Sequence, residues 1–114
     1  MNKLHILTLS WQGKDKLEKL YKSLIPALHG VDYHWHIKSN GCTDGSMEAI
    51  EAWNNDRIHG IKYPHNLDSF SQGTNFLFKE SGAKDTDYIL LLNNDIVIND
   101  NASVKKMMFL LDNP

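Results

Sequence analysis

The chain has 114 residues, enough for one domain, and its 41% hydrophobic and 23% charged residues are the proportions of an ordinary globular protein. The formal charge is −2, with 12 Lys and Arg scattered along the chain, so there is no electrostatic case for nucleic acid or an anionic membrane as the main partner. No stretch approaches the ~20 apolar residues of a membrane span, the N-terminus leads straight into a strand rather than a signal sequence, and the lone Cys42 excludes an intrachain disulfide, which makes the cytoplasm the expected compartment.

Leu4 to Leu9 reads as a first strand. Leu17, Leu20, Tyr21, Leu24 and Leu28 then recur at three- and four-residue steps, the apolar stripe of an amphipathic helix, with Pro26 near its end. Tyr33 to Lys38 is a second strand. The polar turn Asn40-Gly41-Cys42-Thr43-Asp44-Gly45-Ser46 follows, and Asp44 or Ser46 is placed to cap a helix carrying Met47, Ile50 and Trp53. Ile58 to Tyr63 is a third strand, closed by Pro64, and a polar loop runs from His65 to Gly73. A helix with Phe76, Leu77 and Ala83 comes next. Tyr88 to Leu92 is a fourth strand, and its five consecutive apolar residues predict burial on both faces. Val104, Met107, Met108 and Leu111 mark a last helix.

The order βαβαβαβα predicts an α/β domain with a mostly parallel sheet, flanking helices and right-handed crossovers. The segments between strands are too long for hairpins. No repeat, low-complexity tract or linker divides residues 1–114, which read as a single domain.

Three polar clusters fall at strand ends: Thr8 and Ser10; Ser39, Asn40 and Asp44; and Asn93, Asn94 and Asp95. Asn66 and Gly73 lie on the loop after the third strand. In a parallel sheet these ends share one edge, and ligands bind beyond the carboxyl ends of the strands. Asp95 is there a candidate ligand for a hard divalent cation, which in turn holds a diphosphate. Plainer readings stand beside this one. Asn93-Asn94-Asp95 also suits a polar turn before a helix, and Ser39 and Asn40 suit strand-end turn chemistry. Asp44 is explained by helix capping. His34 and His36 share one face of a strand but lack a third ligand nearby in sequence, so they read as ordinary strand histidines. Cys42 reads as a small turn residue. Trp53, Phe76, Phe78, Met107 and Met108 read as packing residues, and the remaining lysines as solvated.

These motifs resemble those of family 2 glycosyltransferases. Asn40-Gly41-Cys42-Thr43-Asp44-Gly45-Ser46 is similar to their Asp-Asn-Gly-Ser-Thr-Asp-Gly-Ser turn, and Ile6-Leu7-Thr8-Leu9-Ser10 to their opening strand. His65-Asn66-Leu67 resembles their Asn-Leu-Gly loop. Leu90-Leu91-Leu92-Asn93-Asn94-Asp95 resembles their metal-binding Asp-X-Asp motif in its rhamnosyltransferase-like version. The resemblance covers essentially the whole chain and implies the Rossmann-like N-terminal half of a GT-A fold, which binds a nucleotide-diphosphate sugar. It implies that Thr8 and its neighbours approach the base, that Ser39 takes the place of a base-contacting Asp, that Asn93 lies near ribose or phosphate, and that Asp95 binds Mn²⁺ or Mg²⁺.

The chain departs from that pattern at several positions. Ser39 replaces an acid, Cys42 the common Ser, Ser10 and Trp11 the common Asn-Arg, and Asp68 stands near a usual Gly. The sequence ends at Leu111-Asp112-Asn113-Pro114, where the family continues into an acceptor-binding half. Inverting transfer needs a base for the acceptor hydroxyl proton, and no residue is assigned that role. The alternative expectation is therefore a non-catalytic, truncated binding or interaction module that self-associates through an open sheet edge or uncovered apolar face. A dinucleotide-binding Rossmann domain is disfavoured because Ser10-Trp11-Gln12-Gly13-Lys14-Asp15 lacks the Gly-X-Gly-X-X-Gly turn. A receiver domain would want paired acids after the first strand.

Overall fold

Period-two apolar residues in the strands and apolar stripes in the helices build a layered α/β structure. The computed structural model describes residues 3–40, 43–63 and 70–112. Its elements are β1 (Leu4–Ser10), α1 (Lys14–Ala27), β2 (Tyr33–Asn40), α2 (Ser46–Ala52), β3 (Ile58–Tyr63), α3 (Phe70–Ser81), β4 (Tyr88–Leu91) and α4 (Ser103–Asp112). The strands form one parallel sheet in the order β3-β2-β1-β4. Register sets Ser10 beside Ser39, and Leu7 beside both His36 and Leu91. The alternating order and the parallel sheet are those expected from the sequence. Among the described residues no helix is long and apolar enough to cross a membrane.

One face of the sheet carries the main core. Leu4 and Ile6 of β1, Tyr33, Trp35 and Ile37 of β2, and Ile58 of β3 pack against Leu17, Leu20 and Leu24 of α1, Ile50 of α2, and Val104 and Met108 of α4. An aromatic stack threads this layer: the Tyr21 and Trp53 rings lie 4.0 Å apart and nearly parallel, and Trp53 faces Trp35 at 5.9 Å. Gly60 lets α2 approach β3, since a Cβ there would meet Met47 Cε at 3.1 Å and Ile50 Cγ2 at 3.2 Å.

The other face is covered only in part. α3 lies over β1 and β2, with Leu77 fully buried and Gly73 set directly on the Leu9 side chain. No described helix covers β4 on that side. Ile89 is accordingly 40% exposed and Leu91 48% exposed. The expectation of a fourth strand buried on both faces is thus corrected. Its apolar run sits at the sheet edge, and only Tyr88, Leu90 and Leu92 join or flank the core.

Smaller corrections have equally local causes. Phe78 and Met107, read as packing residues, are exposed because they point away from the layers their helices cover. The third helix ends at Ser81, so Ala83 lies past it, beyond Gly82 with φ +67°. Lys38, expected to be solvated, is fully buried. It lies on the α3 face, with its Nζ 5.5 Å from the centroid of the Phe76 ring.

Candidate functional site

Because every strand runs the same way, the segments following β1, β2 and β4 emerge at one edge of the sheet. Side chains then tie them together. Asn94 Nδ2 donates to Ser10 Oγ at 3.3 Å, joining residues 84 apart in sequence. Asn94 also lies against Gly13, where a Cβ would collide with its Nδ2. Gln12 Nε2 donates to Thr43 Oγ1 at 2.7 Å, and the Thr43 amide donates to Gln12 Oε1 at 3.0 Å. This reciprocal pair holds Gln12 at φ +48°, a left-handed conformation that a non-glycine residue adopts only under local constraint.

Asp44 ties two helix starts to each other. Its Oδ2 accepts from the Lys14 amide at 2.9 Å, at the first residue of α1, and its Oδ1 accepts from the Ser46 amide at 3.1 Å and from the Ser46 hydroxyl. Desolvation opposes its charge, but the Ser46 hydroxyl and the amides of Lys14 and Ser46 outweigh it and hold the carboxyl below its ordinary range. The capping expectation is refined in one respect. The residue at the N-cap of α2 is Gly45, at φ +89°, and Asp44 acts from one position earlier. Ser46 is the first helical residue.

The sequence-derived site residues separate into two groups. Thr8, Ser10 and Ser39 are buried at the strand ends. The Thr8 hydroxyl accepts a hydrogen bond from Trp35 Nε1 at 3.0 Å, which turns it into the core layer. Asn93 and Asp95 are exposed and Asn94 is half-buried, in a turn where the Ile96 amide reaches back to the Asn93 carbonyl at 3.5 Å. Asn40 closes β2, and its side chain lies outside the described residues, as do Asn66, Cys42 and Asp68. A cavity of about 450 Å³ opens beside this edge, lined by Gln12, Gly13, Lys14, Asp15, Lys16 and Asp44. Gln12, Thr43 and Lys14 were not legible as site residues. Only the pairing of loops after adjacent strands identifies them.

A larger cavity, about 620 Å³, lies elsewhere, on the partly covered face toward the amino ends of the strands. Four histidines from three strands line it: His5, His34, His36 and His59. Register explains the grouping, because His5 sits beside His34, and His36 beside both Leu7 and His59. Burial, then the neighbouring imidazoles of His59, His5 and His34, push the His36 pKa down to about 4. Burial and then His59 also lower that of His34.

No family model matches the chain, and no curated protein matches it in sequence. Solved structures do match in fold. Residues 1–349 of Staphylococcus aureus TarS superpose with a TM-score of 0.79 at 16% identity, covering 96% of this chain and 32% of that one. The same protein in complex with UDP superposes at 0.81 with 15% identity, and in complex with UDP-GlcNAc at 0.79 with 16% identity. The chain spans about a third of the length of these TarS structures. The likeness establishes the fold expected here, the Rossmann-like N-terminal half of GT-A.

Proposed function

We propose that this chain binds a nucleotide-diphosphate sugar as the donor half of a glycosyltransferase, at the edge where the segments after β1, β2 and β4 meet. The observation that carries the reading is the Asn94–Ser10 hydrogen bond, which sets the Asn93-Asn94-Asp95 turn against the ends of β1 and β2. The fold likeness to a protein crystallised with UDP and UDP-GlcNAc supports the ligand class.

Asp95 and Asn93 are the exposed oxygen donors of the turn. Among the described residues no three ligating groups meet to form a cage for a metal. Mg²⁺ at a phosphate site typically needs only one or two protein carboxylates, with phosphate oxygens and waters completing its shell, and Mn²⁺ accepts the same oxygen donors. The donor set therefore fits such a cation, with Asp95 as its protein ligand. When bound, the cation offsets the charge that grows on the departing diphosphate. Asn93 is assigned to donate to ribose or phosphate. Asn40 ends β2 at this edge, and Asn66 is proposed as a further donor contact from the sequence resemblance alone. Thr8, Ser10 and Ser39 fix the shape of the strand ends beneath the base. Lys14 and Lys16 line the adjoining cavity beside Asp15 and Asp44, so a ligand there meets charges of both signs.

Transfer to an acceptor hydroxyl also needs a base, and the proposal limits this chain to donor binding. Calorimetry with UDP, GDP, dTDP and UDP-GlcNAc, with and without Mn²⁺, tests it. At least one nucleotide is expected to bind more tightly with Mn²⁺, and Asp95→Ala is expected to remove that gain. Absence of binding by all four, or a gain that survives Asp95→Ala, contradicts the assignment.

A second reading has its own observation. The uncovered face of β4, with Ile89 and Leu91, and the outer side of α4, with Phe109, Leu110 and Leu111, expose large apolar side chains. Surfaces of this kind mark association sites. A non-catalytic module that pairs with a second copy would sediment as a dimer and release no diphosphate from any nucleotide-sugar.

A further inference from the structure

The turn after β1 is where the other loops of the donor edge are fastened. Ser10 Oγ accepts from the Asn94 side chain, and the Asp44 carboxylate accepts from the Lys14 amide. Between these two ties, Gln12 reaches the turn after β2 through both ends of its carboxamide. Its Nε2 donates to Thr43 Oγ1 at 2.7 Å, and the Thr43 amide donates to its Oε1 at 3.0 Å. A single hydrogen bond leaves a loop free to pivot. Two bonds to one planar carboxamide, one given and one received, fix rotation as well as distance. The clasp thus sets the spacing of two turns 31 residues apart in sequence.

Three features separate this clasp from the stability of the fold. Gln12 and Thr43 are both exposed, where a hydrogen bond exchanged with water adds little. The elements it bridges are already fixed by other means: β1 and β2 by a register that continues to Ser10 beside Ser39, and the starts of α1 and α2 by Asp44. The backbone at Gln12 also works against its side chain. At φ +48° a glycine meets no steric penalty and a glutamine does. Glycine would serve the turn better, yet position 12 carries a carboxamide engaged on a neighbouring loop. Backbone held against its preference clusters at ligand clamps, where the geometry itself matters.

We propose that Gln12 is a positioning residue for the nucleotide donor, holding the turns after β1 and β2 at the spacing the ligand requires. The inference rests on the donor-site reading above and adds to it a residue that acts through Thr43. Loops already set in their bound arrangement lose less conformational freedom on binding, and the difference appears as affinity. Removing the clasp therefore weakens donor binding without unfolding the chain.

Calorimetry with UDP, GDP and dTDP, each with and without Mn²⁺, compares the full unmodified chain with Gln12→Gly and Thr43→Val, alongside urea unfolding and hydrogen exchange at the Thr43 amide. Gln12→Gly removes the clasp and relieves the backbone. It is expected to speed exchange at the Thr43 amide, to keep or raise the urea midpoint, and to weaken the best-bound nucleotide about five- to tenfold. The affinity gain from Mn²⁺ is expected to stay the same, because Asp95 is untouched. Thr43→Val keeps the amide bond to Gln12 Oε1 and is expected to lose about two- to threefold. Unchanged affinity in a Gln12→Gly chain whose Thr43 amide exchanges freely would overturn the proposal and leave the donor-site reading standing. So would a fall in the urea midpoint large enough to account for the lost affinity, or exchange at Thr43 that is already fast in the unmodified chain. Failure of all three nucleotides to bind the unmodified chain would overturn both readings.

Discussion

Acidification should destabilise this fold in a window set by the buried histidines. His36 is buried between β1 and β3, and its pKa falls from 6.5 to about 4, through burial first and then the imidazoles of His59, His5 and His34. Above pH 6.5 it is neutral in both the folded and the unfolded chain and adds no pH dependence. Between pH 6.5 and about 4 the unfolded chain binds a proton that the folded chain excludes, so stability falls as pH falls. Below about 4 both states are protonated and the slope from this group ends. A drop of this size corresponds to about 3 kcal/mol in full. Water in the adjoining cavity screens part of it, which leaves about 1–2 kcal/mol at pH 5. Lys3, Lys84, Glu80 and Asp87 line the same cavity. Asp87 acts in a separate window. The Lys84 amide, and then the His5 ring, hold its carboxyl below the usual range. Its contribution is therefore present above the ordinary carboxylate pKa and is lost only as pH falls through the lower folded value. Urea unfolding with EDTA present, at pH 7.5, 6.5, 5.5 and 5.0, measures the effect. The native chain is expected to lose stability across the series, and His36→Phe to lose about 1–2 kcal/mol less by pH 5. Parallel curves for the two proteins would refute the assignment of the slope to His36.

Three substitutions probe the edge where the loops meet. Thr8→Val removes the acceptor for Trp35 Nε1 inside the core and is expected to cost about 1–3 kcal/mol of stability in urea unfolding. Asp44→Ala frees the amides at the starts of α1 and α2; a loss of about 1–2 kcal/mol is expected in the same assay, partly recovered by Asn. Gly13→Ala drives a methyl into Asn94. It is expected to break the Asn94–Ser10 contact, lower stability by about 1 kcal/mol or more, and weaken nucleotide binding severalfold; unchanged affinity would show that the turn does not need this support.

Periodicity made the architecture legible. The helical stripe Leu17, Leu20 and Leu24 is buried throughout, and the alternation in β1 and β2 sorts Ile6, Trp35 and Ile37 onto the core face. Lengths between strands then required crossovers, and parallel strands required a shared edge for the polar ends. Periodicity was least informative where a neighbour decides the outcome. The run from Tyr88 to Leu92 has the pattern of an interior strand, but whether its second face is covered depends on where α3 lies, and α3 lies over β1 and β2. Lys38 is buried for the same reason, since α3 covers it. Thr8 reads from sequence as a ligand-facing hydroxyl, but Trp35, the register partner of Ile6, reaches it with Nε1 from the diagonal position. The histidine cluster is the clearest case. His34 and His36 share a face by alternation alone, but His5 and His59 join them only through strand register, and Asp87 through the approach to β4.

The central claim is that one edge of the sheet gathers a cation and a diphosphate at Asp95. Paramagnetic broadening by Mn²⁺ in the presence of UDP, read on backbone amides of the full chain, tests it most directly. The expected result is selective broadening of Asn93, Asn94, Asp95 and the residues following β1 and β2, with Lys3, His5, His34 and His59 spared, and its disappearance in Asp95→Ala. Broadening centred on the opposite ends of the strands, or broadening that persists in Asp95→Ala, would contradict the account.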